Sequence, residues 1–153
     1  MTALIQRLRK EEKGLTLIEL LAVIVIIGVI AAIAVPIITG VIKDTKDSAR
    51  VATANQLFEA AKLRSIAQNN GVLKGEHTLT DLLDEDYIQK GLTDPKSGKA
   101  FGAGTQVNLS DLTSTTATIV TLVTDDGTLN YTLANLKNGD KGSAPPTSEG
   151  SGS

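Results

Sequence analysis

The chain of 153 residues contains no cysteine, no tryptophan and a single histidine, His77. Without thiols it forms no disulfide, holds no thiolate metal site and offers no cysteine nucleophile. One imidazole confines histidine acid–base chemistry to one position. Four aromatic side chains, Phe58, Tyr87, Phe101 and Tyr131, are too few for a stacking platform that reads single-stranded nucleic acid. There is also no Walker loop, no Rossmann glycine fingerprint, no zinc spacing and no EF-hand pattern. Basic charge is scarce where it would matter. The net charge is −2, yet the first 14 residues carry four cations against two anions, so the remainder carries −4. A part of that sign has no broad field for DNA.

What the chain does have is one long apolar run. From Leu20 to Ile42 no residue is charged. At ~1.5 Å per residue such a segment makes a helix of about 35 Å, against about 30 Å of membrane hydrocarbon. Arg7, Arg9, Lys10 and Lys13 precede it, which by the positive-inside rule keeps the leader in the cytoplasm and sends the C-terminal part outside. Glu19 sits at the mouth of the run. A lone carboxylate in hydrocarbon costs on the order of 3 kcal/mol on insertion scales, so an acid there needs a partner. A secretory signal or a plain membrane anchor accounts for the run but leaves Glu19 unexplained.

The segment Lys13-Gly14-Leu15-Thr16-Leu17-Ile18-Glu19-Leu20-Leu21 resembles the prepilin cleavage and methylation signature. Type IV pilins, competence pilins and type II secretion pseudopilins share it. The Gly14-to-Glu19 spacing and Pro36 agree, and Leu15 departs from the family's usual Phe. The resemblance is specific over roughly the first forty residues. It implies that a membrane aspartyl peptidase cuts between Gly14 and Leu15 and methylates the new amino terminus of Leu15. It further implies that Glu19 meets the Leu15 amine of a neighbouring subunit. Such a pair costs far less in an apolar fibre core than a lone acid, and it sets register. Many Gram-negative pilins staple a C-terminal loop with a cystine. This chain cannot, which fits a monoderm source.

Pro36 removes a helix hydrogen bond inside the run, and Gly40 loosens the same stretch, so the pair marks an expected kink. After Lys43 the pattern turns amphipathic, with Val51, Ala54, Leu57, Phe58 and Ala61 on one face. Asn69-Asn70-Gly71 is a stop signal. One helix is expected from about Thr16 to Asn69, apolar on all sides and then amphipathic.

Beyond it, Leu79–Ile88 reads as a short helix or turn with Thr80 as N-cap. Asp81, Asp84, Glu85 and Asp86 cluster there. A calcium site is conceivable, but acids near a helix start need no metal. Tyr87-Ile88 and the Asp94-Pro95-Lys96-Ser97-Gly98 turn also resemble pilins, and the turn leads into the sheet. Period-two alternation then predicts three strands. The first holds Val107 and Leu109 and extends through Ser110-Asp111-Leu112. The second runs from Ala117 to Thr124. Asp125-Asp126-Gly127 turns into the third, with Leu129, Tyr131 and Leu133 alternating. Asn108 and Asn130 begin glycan sequons inside predicted strands, as chance matches. From Asn138 the composition predicts a disordered tail.

The expected fold class is therefore α+β: a long N-terminal helical spine, apolar then amphipathic, packed by a small C-terminal antiparallel sheet. The expected division is a leader 1–14, an apolar membrane half 15–42, a head 43–137 and a tail 138–153. The expected function is a structural subunit of a type IV pilus or pilus-like fibre. The alternatives are a minor capping pilin that binds DNA or a surface, and a type II secretion pseudopilin. Glu19 favours a polymerising subunit, and no constellation supports an enzyme. No cofactor or metal is expected. Expected partners are a prepilin peptidase, further copies of the chain, an assembly ATPase with its platform, and the membrane. DNA is possible as a partner but unsupported by charge. The expected location is the cell membrane, as a single-pass precursor, and then a surface fibre.

Overall fold

The computed structural model describes residues 2–144, with side chains from Thr16 onward. The chain divides into two compact units, residues 1–43 and 44–153. Among the described residues there are three helices and one four-stranded sheet. The first helix, α1, spans Thr2–Gln68 and so takes in the leader as well as the expected segment. Pro36 lies inside it and the helix continues on both sides.

In the second unit α1 is amphipathic as its spacing requires. Val51, Ala54, Leu57, Phe58 and Ala61 are all buried. The helix ends one residue before the expected Asn69. Asn70 takes a left-handed φ of 53°, and the Gly71 N–H donates to the Ile66 carbonyl at 3.0 Å. That six-to-one bond is a Schellman closure, with asparagine tolerating the conformation that glycine usually supplies.

The sheet has the order β1-β2-β3-β4 and is antiparallel throughout. Its strands are β1 (Glu76–Thr78), β2 (Gln106–Asn108), β3 (Thr118–Thr124) and β4 (Gly127–Thr132). The hairpin between β3 and β4 turns at Asp125-Asp126, where Gly127 adopts a φ of 129°. The core lies between α1 and the sheet. Leu82, Val107, Leu109, Ile119, Val120, Leu122 and Tyr131 are 0–1% exposed there.

Five expectations change. A fourth strand, β1, precedes the predicted three; at three residues it shows no periodicity and exists by pairing with β2. The N-cap of α2 (Leu79–Asp84) is Thr78, not Thr80. Thr78 Oγ1 accepts from the Asp81 N–H, and Asp81 Oδ2 accepts from the Thr78 N–H, each at 3.2 Å, closing a capping box. The predicted helix or turn through Ile88 breaks at Glu85-Asp86. Asp86 is left-handed at φ 57°, and the Tyr87 N–H closes on the Leu82 carbonyl. Ser110–Leu112 leaves the first predicted strand. Asp111 Oδ1 there accepts the N–H groups of Thr113 and Ser114, a side-chain turn that outcompetes the ladder. Leu133 opens a helix, α3 (Leu133–Asn138), because Thr132 and Asn135 form a second capping box.

The segment after Asn138, expected as tail, stays attached as far as it is described. Gly139 caps α3 at a φ of 74°, and Ser143 pairs with Asn130. Residues 145–153 lie outside the described part.

One buried ion pair fastens α1 to the loop and hairpin. Arg50 Nε and Nη2 donate to the two oxygens of Asp94 at 2.6 and 2.5 Å. Their side chains are 5% and 1% exposed. Asp94 also accepts the Ser97 hydroxyl and the N–H groups of Lys96 and Ser97. Asp126 of the hairpin joins through Arg50 at 3.2 Å and Lys96 at 2.7 Å. The Arg50 guanidinium, with the Ser97 and Lys96 donors, holds the Asp94 carboxyl far below the usual carboxylate range. A depressed carboxylate contributes stability above its unfolded value, about 3.9, and that contribution is lost as pH falls through the folded value. Two outcomes are expected. The chain in detergent keeps its stability above about pH 4 and loses it steadily below. Asp94→Ala, which leaves the buried Arg50 guanidinium only its longer contact to half-exposed Asp126, costs about 3 kcal/mol in denaturant unfolding at pH 7 and flattens the acid limb.

Candidate assembly site

The N-terminal unit presents an apolar helix whose side chains are exposed among the described residues. Every Leu, Ile and Val from Leu17 to Ile42 is at least half exposed, from 51% to 68%. Among the described residues this is the one helix long and apolar enough to cross a membrane. Apolar surface on this scale requires a cover.

On that surface Glu19 is exposed, and among the described residues no salt bridge reaches it. It shares an open groove with Thr16, Leu20, Ala22, Val23 and Ile26. Those positions fall at helical spacings, so they form one stripe, polar at its N-terminal end and apolar beyond. Thr16, three residues before Glu19, was not singled out in the sequence, although its spacing places it on that stripe. Gly14 and Leu15 lie within α1, and the Leu15 side chain falls outside the described part. The expected neighbour of Glu19 is the Leu15 amine of another copy, so one chain does not bring the two groups together.

Pro36 and Gly40 sit farther along the same helix. Proline gives no N–H to the Ala32 carbonyl. One turn on, the Thr39 hydroxyl donates to the Val35 carbonyl at 2.9 Å, a back-bond that bends helices. An added Cβ at Gly28 or Gly40 meets nothing within 4 Å, so both remain open to close approach by another helix.

Three of the four acids clustered around α2 have protein partners. Asp81 serves the α2 cap, Glu85 binds Arg64 Nη2 at 2.6 Å, and Asp86 lies 4.0 Å from Lys90. Among the described residues no group of three or more His, Asp or Glu side chains is arranged to hold a metal. Arg64 also brings His77 into the structure. Arg64 Nη1 lies 2.8 Å from His77 Nδ1, and His77 Nε2 lies 3.2 Å from the Lys74 carbonyl. A guanidinium only donates and a carbonyl only accepts, so these contacts call for Nδ1 as acceptor and Nε2 as donor. The single histidine joins the α1 end to β1, and it is 3% exposed. Nitrogen chemical shifts of His77 at neutral pH are expected to report that tautomer. A proton on Nδ1 would contradict the Arg64 contact.

Residues 9–35 match the family described as the prokaryotic N-terminal methylation motif, the signature of type IV pilins and pseudopilins. No curated protein and no solved structure matches the chain. The pilin and pseudopilin family is structural, and a motif of this type implies processing by a peptidase and assembly with other subunits in a membrane. The long N-terminal helix and four-stranded antiparallel sheet agree with the α+β pilin fold.

Proposed function

We propose that the chain is a structural subunit of a type IV pilus or pilus-like fibre. It enters the membrane as a precursor, is cleaved after Gly14, is N-methylated on Leu15 and polymerises through its apolar helix. The observation that carries this reading is the conjunction at the start of α1. An exposed acid, Glu19, stands five positions after Gly14, inside the matched motif, on a helix whose described apolar side chains are exposed.

Two covers suit such a helix in turn. Lipid covers it in the precursor, and other copies cover it in the fibre. Apolar helices attract one another weakly in lipid and slide at little cost, so packing alone gives poor register. A buried acid restricts the arrangement, because it stays costly until it meets a cation. Cleavage creates that cation, the amine of Leu15. Processing and assembly are thereby linked by charge: the uncut precursor lacks the amine at that position. Cleavage itself needs the helix to open at Gly14-Leu15, and Gly14 lowers that cost by about 1 kcal/mol relative to alanine. Pro36 and Gly40 supply a loosened turn where the helix yields as subunits pack.

The partners in this reading are a prepilin peptidase, further copies, an assembly ATPase with its platform, and the membrane. The leader lies in the cytoplasm and the C-terminal unit outside, on the cell surface after assembly. The reading assigns no catalytic residue and no cofactor, and the −4 charge beyond the leader counts against DNA as a partner.

Two experiments test it. Mass spectrometry of the fibre fraction is expected to find a mature chain that begins with methylated Leu15. A chain beginning at Met1, in a host with active peptidase, contradicts the proposal. Glu19→Ala is expected to insert and be cut normally, since a neutral residue enters the membrane more easily than an acid. Its surface fibres, counted by electron microscopy, should fall at least about tenfold. Glu19→Asp keeps the charge but shortens its reach, and should give an intermediate count. Normal fibres from Glu19→Ala in cells without a wild-type copy overturn the polymerising role.

A further inference from the structure

The strand β4 has β3 on one side and, on the other, a segment whose composition reads as tail. The Asn130 N–H donates to the Ser143 carbonyl at 2.7 Å, and the Ser143 N–H returns a bond to the Asn130 carbonyl at 2.9 Å. Two residues earlier, Lys141 reaches Asp44 and Asp47 of α1, each at 3.0 Å. Between these anchors Gly142 lies on the Tyr131 ring. A Cβ at Gly142 would stand 2.7 Å from Tyr131 Cζ, and the ring is itself 1% exposed, with little room to yield. Exposed ion pairs are worth little alone, so the backbone bridge and the glycine–ring contact do most of the holding.

The register makes the segment more than a loose end. Along an antiparallel strand, backbone groups point alternately to the two neighbours. Asn130 faces outward, so Thr128 and Thr132 do too. The Thr132 N–H is taken by Asn135 Oδ1 at 2.9 Å. A strand continuing from Ser143 would reach the position opposite Thr128 at residue 145. Residues 145 and 146 are both proline, which has no N–H to give. The sequence permits one bridge and denies the next position its donor. The strand itself, Gly-Thr-Leu-Asn-Tyr-Thr, has no charge and no proline. It lacks the devices by which edge strands usually resist pairing with another chain.

We propose that residues 139–143 form a strap that closes the outer edge of β4 against the β4 of a second copy. A second copy is the occupant that fits. An uncharged edge laid antiparallel on its own image pairs about a two-fold axis with no repulsion, and copies are one another's neighbours wherever this chain gathers. The strap keeps heads from adding to one another sheet to sheet. The inference concerns the C-terminal unit alone and does not depend on assembly through α1.

The test uses the full chain in detergent micelles, unchanged or carrying Lys141→Glu with Ser143→Pro. The double variant removes the ionic clasp and the Ser143 donor, and leaves residues 44–138 untouched. Amide hydrogen exchange is read residue by residue at two protein concentrations. In the dilute variant the Asn130 amide is expected to exchange at least about tenfold faster than in the unchanged chain, while Val120 and Leu122 stay protected. At high concentration Asn130 should regain protection and Thr128 should gain it as copies pair, which the unchanged chain should not show at Thr128. An Asn130 amide that remains fast at every concentration means the freed edge recruits no second copy, and overturns the proposal. So does unchanged exchange at Asn130. Loss of protection across β2 and β3 would make the segment part of the core and not a guard, and overturns it equally.

Discussion

The Arg50–Asp94 pair is the contact on which the C-terminal unit depends. It joins one turn of α1 to a loop 44 residues away, and through Asp126 it also reaches the β3–β4 hairpin. Burying two charges is costly, and what makes this pair tolerable is satisfaction of nearly every lone pair and proton around it. Asp94 receives the guanidinium on both oxygens, a hydroxyl and two backbone N–H groups. An apolar pair of similar size would pack here without that demand. It would not specify which loop meets which turn of the helix. With few aromatic side chains to give the core distinctive shapes, polar specification carries more of the burden.

The N-terminal unit obeys the opposite constraint. Its surface is uniform, so nearly every rotation and slide of one copy against another is equivalent in energy. In the proposed fibre a single acid, Glu19, breaks that degeneracy. On that proposal the two units use charge for the same purpose, choosing one arrangement among many, and they differ in where the partner lies. In the C-terminal unit it lies on the same chain; in the proposed fibre it lies on the next.

Much of the fold was legible because it rests on periodicity. The buried face of α1 follows from residues 51 to 61 at helical spacing, and the β3–β4 hairpin follows from alternation around Asp125-Asp126-Gly127. The motif around Glu19 was legible for a related reason, since it is a pattern of spacing along one helix. The losses lie where a local side chain or a distant partner decides. Thr78 and Thr132 each close a capping box with a short Asp or Asn, and the usual signature, Glu or Gln, did not announce it. Strand β1 is too short for its own pattern. The Arg50–Asp94 contact, the Arg64–His77 contact and the bridge at Ser143 join residues from 13 to 44 positions apart, and composition pointed the last of these toward disorder.

The closing segment has a chemical consequence of its own. Where a small extracellular head is fastened by a cystine, its completion waits on an oxidant and on correct pairing of sulfurs, a step that takes seconds to hours. Here the fastening is a backbone bridge, an ammonium between two carboxylates and a glycine seated on a tyrosine ring. None of these needs electron transfer. The head therefore closes as fast as its chain folds, in surroundings of any redox potential, and no thiol remains on its surface to cross-link it to a neighbour.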